Sequence, residues 1–234
     1  MSERRWERAT GIASILTVVV LLAELLTWTN PAINDPLTKI RGYFVGNPHL
    51  ASASLELAVM GILPVLVFAA GLRMVFRRRE GEADVLSAIF FASATAFAST
   101  QLVFAAVSGA LVVTGSGATD GEVKVLLGTL NFLDAVRFMP FALMVGAAGV
   151  AMVTGGGFQR WIGWVGIASG ALNLVGMLSL LDLNGPIGSL GNVAQGGFYL
   201  YVVWGIAVGV ILIRRPVASA PVPATQAPKH AVAV

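Results

Sequence analysis

The chain has 234 residues, of which 56% are apolar and only 12% charged; with a mean hydropathy of +0.82 this balance excludes a water-soluble globular domain and calls for a lipid solvent. Cysteine is absent, which removes disulfides, thiolate metal sites, iron–sulfur clusters and cysteine nucleophiles at once. The net charge of +3 arises from Lys and Arg flanking apolar stretches, the pattern of a membrane topology, so no nucleic-acid partner is expected.

A helix needs roughly 20 apolar residues to cross the hydrocarbon core. Stretches of that length predict an all-α, polytopic membrane helix bundle of six transmembrane helices, at about 10–29, 52–75, 85–113, 123–153, 161–181 and 191–213. Residues 1–9 read as a cytoplasmic N-terminal segment and 10–215 as the membrane domain. The first span follows Arg4, Arg5 and Arg8 as a signal peptide would, but it runs too long and lacks a small-residue cleavage site before Asn30, so it is expected to be retained. It carries Glu24 near its far end.

The loop from Asn30 to Leu50 is long enough for structure of its own. Asp35-Pro36 suits the cap and first turn of a short helix, with Leu37, Ile40 and Phe44 on one face lying on the outer membrane surface; an irregular loop is the alternative. The second span opens near Glu56, contains Pro64 and ends in Arg73, Arg77, Arg78 and Arg79. Gln101 lies within the third. The fourth carries Asn131, Asp134 and Arg137 at a spacing of three, which shares one helix face. Pro140 follows one turn later, and each proline should free the carbonyl four residues before it, at Met60 and Val136.

The fifth span has Gly166, Ser169, Gly170, Asn173 and Gly176 on one side. The sixth starts with Asn192, Gln195 and Tyr199 on one face and continues with Gly205 and Gly209. Small residues at such spacing permit close helix contact, either within the bundle or in a homodimer. Residues 216–234, rich in Pro, Ala and Val, read as a disordered cytoplasmic tail. No inverted repeat is visible beyond a weak echo of Val113-Thr114-Gly115 in Val153-Thr154-Gly155.

The positive charges give the orientation. Eleven Lys and Arg side chains at the Arg4–Arg8, Arg73–Arg79, Arg160, Arg214–Arg215 and Lys229 positions fall on one side, against Lys39, Arg41 and Lys124 on the other. Both termini are therefore expected in the cytoplasm, and the protein in the cell membrane.

Ionisable groups inside spans are costly and are functional candidates by default. In this orientation Glu24, Glu56 and Asp134 occupy the outer half of the bilayer, together with Gln101, Asn131, Arg137, Asn173 and Gln195. These eight residues are the predicted ligand-binding set, lining an outward-facing polar cavity. Purely structural readings compete at each: Glu24 and Glu56 are close enough to the interface to be hydrated, Asn173 can tie helices together, and Asp134 with Arg137 can be a structural ion pair.

His49 lies in a loop and His230 in the tail, so haem held between paired imidazoles is not expected. No lysine sits mid-span for a retinal Schiff base, and His-Glu-x-x-His, P-loop and Gly-x-Ser-x-Gly motifs are missing. No cofactor or metal is expected, and an enzyme is the less favoured class. Two stretches, Leu72-Arg73-Met74-Val75-Phe76-Arg77-Arg78-Arg79 and Gln159-Arg160-Trp161-Ile162-Gly163-Trp164-Val165-Gly166, resemble a group of uncharacterised, largely actinobacterial, polytopic proteins. That resemblance implies a six-helix membrane protein and supplies no catalytic residues.

Two functions compete. The first is small-ligand or ion/proton-coupled binding or transport through the cavity. The second is a non-catalytic accessory subunit or assembly factor of a larger membrane complex, with a membrane-protein partner or homodimer in addition to the lipid bilayer. An intramembrane lipid-modifying enzyme using the carboxylates is a third.

Overall fold

The computed structural model describes residues 3–27, 31, 34–80, 85–155, 157–181 and 191–214. The tail at 216–234 and the loop at 183–190 lie outside the described residues. The helices are α1 (Glu3–Thr27), α2 (Leu37–Arg41), α3 (Pro48–Met60), α4 (Ile62–Glu80), α5 (Val85–Thr114), α6 (Asp120–Val136), α7 (Phe138–Gly155), α8 (Arg160–Met177) and α9 (Gly191–Arg214). A π-helical turn at Gly42–Gly46 and a 3₁₀ turn at Leu178–Leu181 complete the helical residues. No strand occurs among the described residues.

Among these residues, five helical stretches are long and apolar enough to cross a membrane: Arg4–Thr27, Pro48–Arg78, Val85–Thr114, Asp120–Gly155 and Asn192–Arg214. The chain is thus an apolar helical bundle compatible with a multi-pass membrane protein. The expected fifth span, 161–181, corresponds to α8, which is not among the five. Its 18 residues would reach about 27 Å at 1.5 Å per residue, but Arg160, Asn173 and four glycines dilute its hydropathy. The first helix also begins at Glu3, earlier than hydropathy indicates, because the polar Arg4–Arg8 turn can extend a helix beyond an apolar core.

The two prolines shape the longest stretches. Pro64 has no N–H to offer the Met60 carbonyl, and Pro140 none for Val136. The helix is interrupted at Gly61 and at Arg137, each three residues before its proline. The flanking ladder persists, with Val65 N donating to Gly61 O at 3.2 Å and Phe141 N to Arg137 O at 3.2 Å. Each interruption is therefore a local kink rather than a chain reversal. At the start of α6, Thr119 and Glu122 form a reciprocal capping box, satisfying two otherwise orphaned amides.

Glycines set how the helices align. A Cβ on Gly149 would lie 2.6 Å from Gly163 O, and one on Gly170 would lie 2.9 Å from Gly146 Cα, so α7 and α8 run antiparallel in backbone contact. Likewise Gly176 meets Ala194 while Gly166 meets Trp204, which runs α8 antiparallel to α9. The small-residue stripes of α8 and α9 are thus used inside the bundle. Gly11 abuts the Gly209 carbonyl, and Ser14 Oγ donates to Gly205 O at 2.8 Å. The N-terminal end of α1 therefore lies beside the C-terminal end of α9.

Gly71 of α4 packs on Thr10 of α1, and Phe76 at the end of α4 stacks edge-on against Phe158 just before α8, at 6.3 Å between centroids. The helix ends bearing Arg4, Arg5, Arg8, Arg77, Arg78, Arg160 and Arg214 consequently gather at one end of the bundle. Lys39, Arg41 and Lys124 belong to the opposite end, where Arg41 donates to Gly115 O and Ala118 O and pairs with Asp120 at 2.9 Å.

One expectation is corrected. Residues 37–41 do form a short helix, but its N-cap is Pro36, and its apolar face turns into the bundle instead of lying on the membrane surface. Ile40 and Phe44 are buried and pack with Phe104, Leu111, Leu127 and Leu130 in a second apolar cluster. Burial against α5 and α6 removes more apolar surface from water than a headgroup contact would.

Candidate functional site

Two segments distant in sequence, in α1 and α5, converge with Asp134 on Arg137, the residue at the proline-induced break between α6 and α7. Because its backbone sits at the kink, its guanidinium projects toward α1 and α5. Nη1 donates to Gln101 Oε1 at 2.8 Å and lies 3.5 Å from Glu24 Oε1. Nη2 pairs with Asp134, one turn earlier, at 2.5 Å. Gln101 Nε2 in turn faces both Glu24 oxygens at 3.3 and 3.4 Å, and the guanidinium lies 4.9 Å from the centre of the Phe104 ring. Glu24 (5% exposed) and Gln101 (2%) are buried, so their charge and dipole are compensated by one another and by Arg137 rather than by solvent.

The network forms one side of a cavity of about 240 Å³. Its wall includes Glu24, Asp134, Arg137, Asn173 and Gln195, together with Leu21, Leu25, Phe97, Phe138, Phe141, Ala194 and Phe198. Of the eight residues expected from sequence, five line this space and Gln101 stands directly behind Glu24 and Arg137. The other two are placed elsewhere. Glu56 is exposed on the outside of α3, and Asn131 donates to the Leu127 carbonyl at 2.9 Å without lining the cavity. Within the stripe at the start of α9, only Gln195 reaches the cavity; Tyr199 is 52% exposed on another side.

Reading polar residues alone misses the aromatic wall. Phe97 and Phe104 flank Gln101 at positions four before and three after it, and Phe138 and Phe141 follow Asp134 and Arg137 at four, so the same helix-face rule that joined the polar residues would have included them. Below the cavity the aromatic packing continues toward the arginine-bearing end. Phe141 contacts Tyr201 at 4.8 Å, Tyr201 contacts Trp204 at 5.9 Å, and Trp204 contacts Phe68 at 5.9 Å. Tyr201, Trp204 and Phe68 are all 1% exposed or less, which makes a dry floor.

Two carboxylates against one guanidinium leave the site with an excess of one negative charge when all ionise. Among the described residues no group of three His, Cys, Asp or Glu side chains is placed to hold a metal ion. The arrangement presents charge and hydrogen-bonding groups on one side of the cavity. No family model, no curated protein and no solved structure matches this chain.

Proposed function

We propose that the protein is a cell-membrane protein crossing the bilayer six times, with both termini in the cytoplasm, and that its cavity binds a small polar or ionic solute from the external side for uptake or exchange. Two features support α8 as the sixth crossing. It runs antiparallel to both α7 and α9 over the stretch from Gly163 to Gly176, and an even number of crossings accommodates α1 and α9 with their chain termini at one end. The arginines at that end support a cytoplasmic location for it.

One observation carries the binding reading: Glu24, Gln101, Asp134 and Arg137, drawn from α1, α5, α6 and the α6–α7 break, meet at a cavity on the end away from the arginines. A buried charged network is expensive in lipid, and a solute site is the function that gives such a network a use. Since the native chain lacks cysteine, accessibility is a clean test. A cysteine replacing Gln195 is expected to react with a membrane-impermeant thiol reagent added outside intact cells, while cysteines replacing Ala148 or Val208, both fully buried, stay unlabelled. Labelling of the Gln195→Cys protein only from the cytoplasmic side, or from neither side, would reject the outward cavity.

The accessory-subunit reading is favoured by Glu56. Its carboxylate is exposed on α3 near Val59, Met60 and Leu63, themselves 45%, 66% and 70% exposed. A carboxylate on an apolar outer face gains from a basic or hydrogen-bonding group on a neighbouring chain. Purification in mild detergent decides between the two: a stoichiometric protein partner that is lost on Glu56→Leu supports the subunit, and a monodisperse lone chain supports the binding protein.

A further inference from the structure

Arg73 lies inside the apolar stretch Pro48–Arg78, well before the end of α4 at Glu80, or about 10 Å along the helix at 1.5 Å per residue. Arg137, also within a span, is matched by Glu24 and Asp134. Arg73 has no such match among the described residues. Its guanidinium rests on the Phe91 ring of α5, 5.0 Å from the ring centre. The Nε is enclosed and bonds to nothing, so the terminal Nη groups are the part that a partner can reach.

Helix geometry turns this side chain outward. Gly71 packs on Thr10 of α1, and Arg73 follows it by two residues, about 200° around α4, on the side away from α1. On α5, Phe90 turns inward to Phe68 and Phe76, while Phe91 beside it is only half-buried. The guanidinium therefore sits in a groove between α4 and α5 on the outside of the bundle, with Met74 42% and Ile89 40% exposed nearby in the chain. Beyond Phe91 the exposed face of α5 continues through Thr95, Ser99 and Leu102. The Thr95 hydroxyl donates to Phe91 O at 2.9 Å and that of Ser99 to Thr95 O at 3.0 Å, so this face asks for nothing polar from a neighbour.

A partner that fits supplies an oxyanion to the guanidinium fork and an apolar body to α5. Snorkelling carries an arginine from within a span toward the headgroup layer, where phosphodiesters are the anions at hand and each carries such a body. The uncompensated charge of Arg73 favours a lipid of net negative charge, because the ammonium of a zwitterionic lipid competes with the guanidinium for the same phosphate.

We propose that the groove between α4 and α5 binds one anionic phospholipid of the leaflet at the arginine-bearing end. The Nη groups of Arg73 hold its phosphodiester, and an acyl chain lies along the outer face of α5. The site is separate from the cavity and does not depend on what the cavity holds.

The test uses the full chain, delipidated in a non-ionic detergent and titrated with phosphatidylglycerol, phosphatidylcholine of the same acyl chains, oleate or glycerol 3-phosphate, with adducts counted by native mass spectrometry. The first phosphatidylglycerol is expected to bind at one per chain and about tenfold more tightly than phosphatidylcholine. Arg73→Gln should weaken it about ten- to hundredfold, the loss of charge-assisted hydrogen bonds. Arg214→Gln, at the same end but outside the groove, should leave it unchanged. Arg73→Lys keeps the charge without the fork and should fall between the parent and Arg73→Gln; it takes the place of the glutamine variant if that protein does not fold.

Equal binding of the two phospholipids, or equal losses in Arg73→Gln and Arg214→Gln, would mean diffuse attraction to a basic end and would overturn the proposal. So would parent-like affinity in a folded Arg73→Gln or Arg73→Lys protein. Oleate binding as tightly as phosphatidylglycerol would replace the phosphodiester by a carboxylate, and displacement by glycerol 3-phosphate would remove the need for an acyl chain; either result rejects the site as proposed.

Discussion

The two halves of this bundle solve opposite problems with the same helices. Toward the arginine-bearing end the helices meet on glycine and interlocking rings: Gly149 against Gly163 and Gly166, Gly11 against Gly209, and Phe68, Phe76 and Phe90 edge to face. Contacts there are made chiefly by shape, with the Ser14–Gly205 hydrogen bond joining α1 and α9, and in lipid, where apolar burial drives little association, close backbone approach is the main source of attraction. Toward the other end the helices part around a cavity and are held by Glu24, Gln101, Asp134 and Arg137. The polar network therefore does not compensate for poor packing across the whole protein; it is confined to the half where packing is left open.

The largest effect should come from breaking the network at its centre. Arg137→Leu leaves Glu24 and Asp134 without their counter-ion, and stranding a buried charge costs about 3–5 kcal/mol in soluble proteins. The two acids are not equivalent, because the Glu24 side chain is 6% exposed and that of Asp134 31%. Glu24→Gln combined with Arg137→Leu is therefore expected to restore most of the folded yield and melting temperature, whereas Asp134→Asn combined with Arg137→Leu should not. Thermal melts of the three proteins in one detergent check this. Equal recovery by both double variants would mean that Glu24 is as well hydrated as Asp134 and that the open half is wetter than its geometry indicates.

A smaller effect separates the halves by packing. An alanine Cβ at Gly149 would press on the backbone of α8, 2.6 Å from both Gly163 O and Ile167 N, where no side chain can yield. Gly149→Ala should destabilise by about 1–3 kcal/mol, the usual cost of overpacking. Gly196, near the start of α9 at the cavity end, has nothing within 4 Å of the same added atom, so Gly196→Ala should be neutral or stabilising by up to about 1 kcal/mol through helix propensity. Matched denaturation curves of the pair test the contrast, and a tolerated Gly149→Ala would break it.

The smallest effect belongs to neither half. Thr119→Ala removes the capping hydroxyl of α6 that accepts from Glu122 N and should cost about 1 kcal/mol. Hydrogen exchange is expected to rise in the first turn of α6 alone, with α7 beyond the Arg137 break unchanged. If exchange also rises in α7, the break transmits instability and α6 and α7 behave as a single helix.

Much of the architecture is legible in the chain itself. Apolar length marks out the helices, Pro64 and Pro140 mark where two of them are interrupted, and the arginines mark the ends that gather together. These are local properties: hydropathy is a sum over a window, and a missing amide acts on the carbonyl four residues away, so neither depends on what lies across the bundle. The status of α8 is less legible, since glycines that lower its hydropathy are the residues that let it lie against α7 and α9.

Counting residues along each helix is also enough to put carboxylates, amides and one arginine at similar depth. Which of them meet is settled by the packed bundle instead. Glu24 and Glu56 are alike in type and in distance from their helix ends, yet one turns inward to Arg137 and the other outward, because the rotation of each helix about its axis is set by contacts such as Gly11 on Gly209 and Gly61 on Val20. The same contacts turn Ile40 and Phe44 into the bundle and bring Glu24 rather than Asp134 alone to the arginine. Depth is a property of one helix, whereas azimuth follows from partners that are distant in the chain.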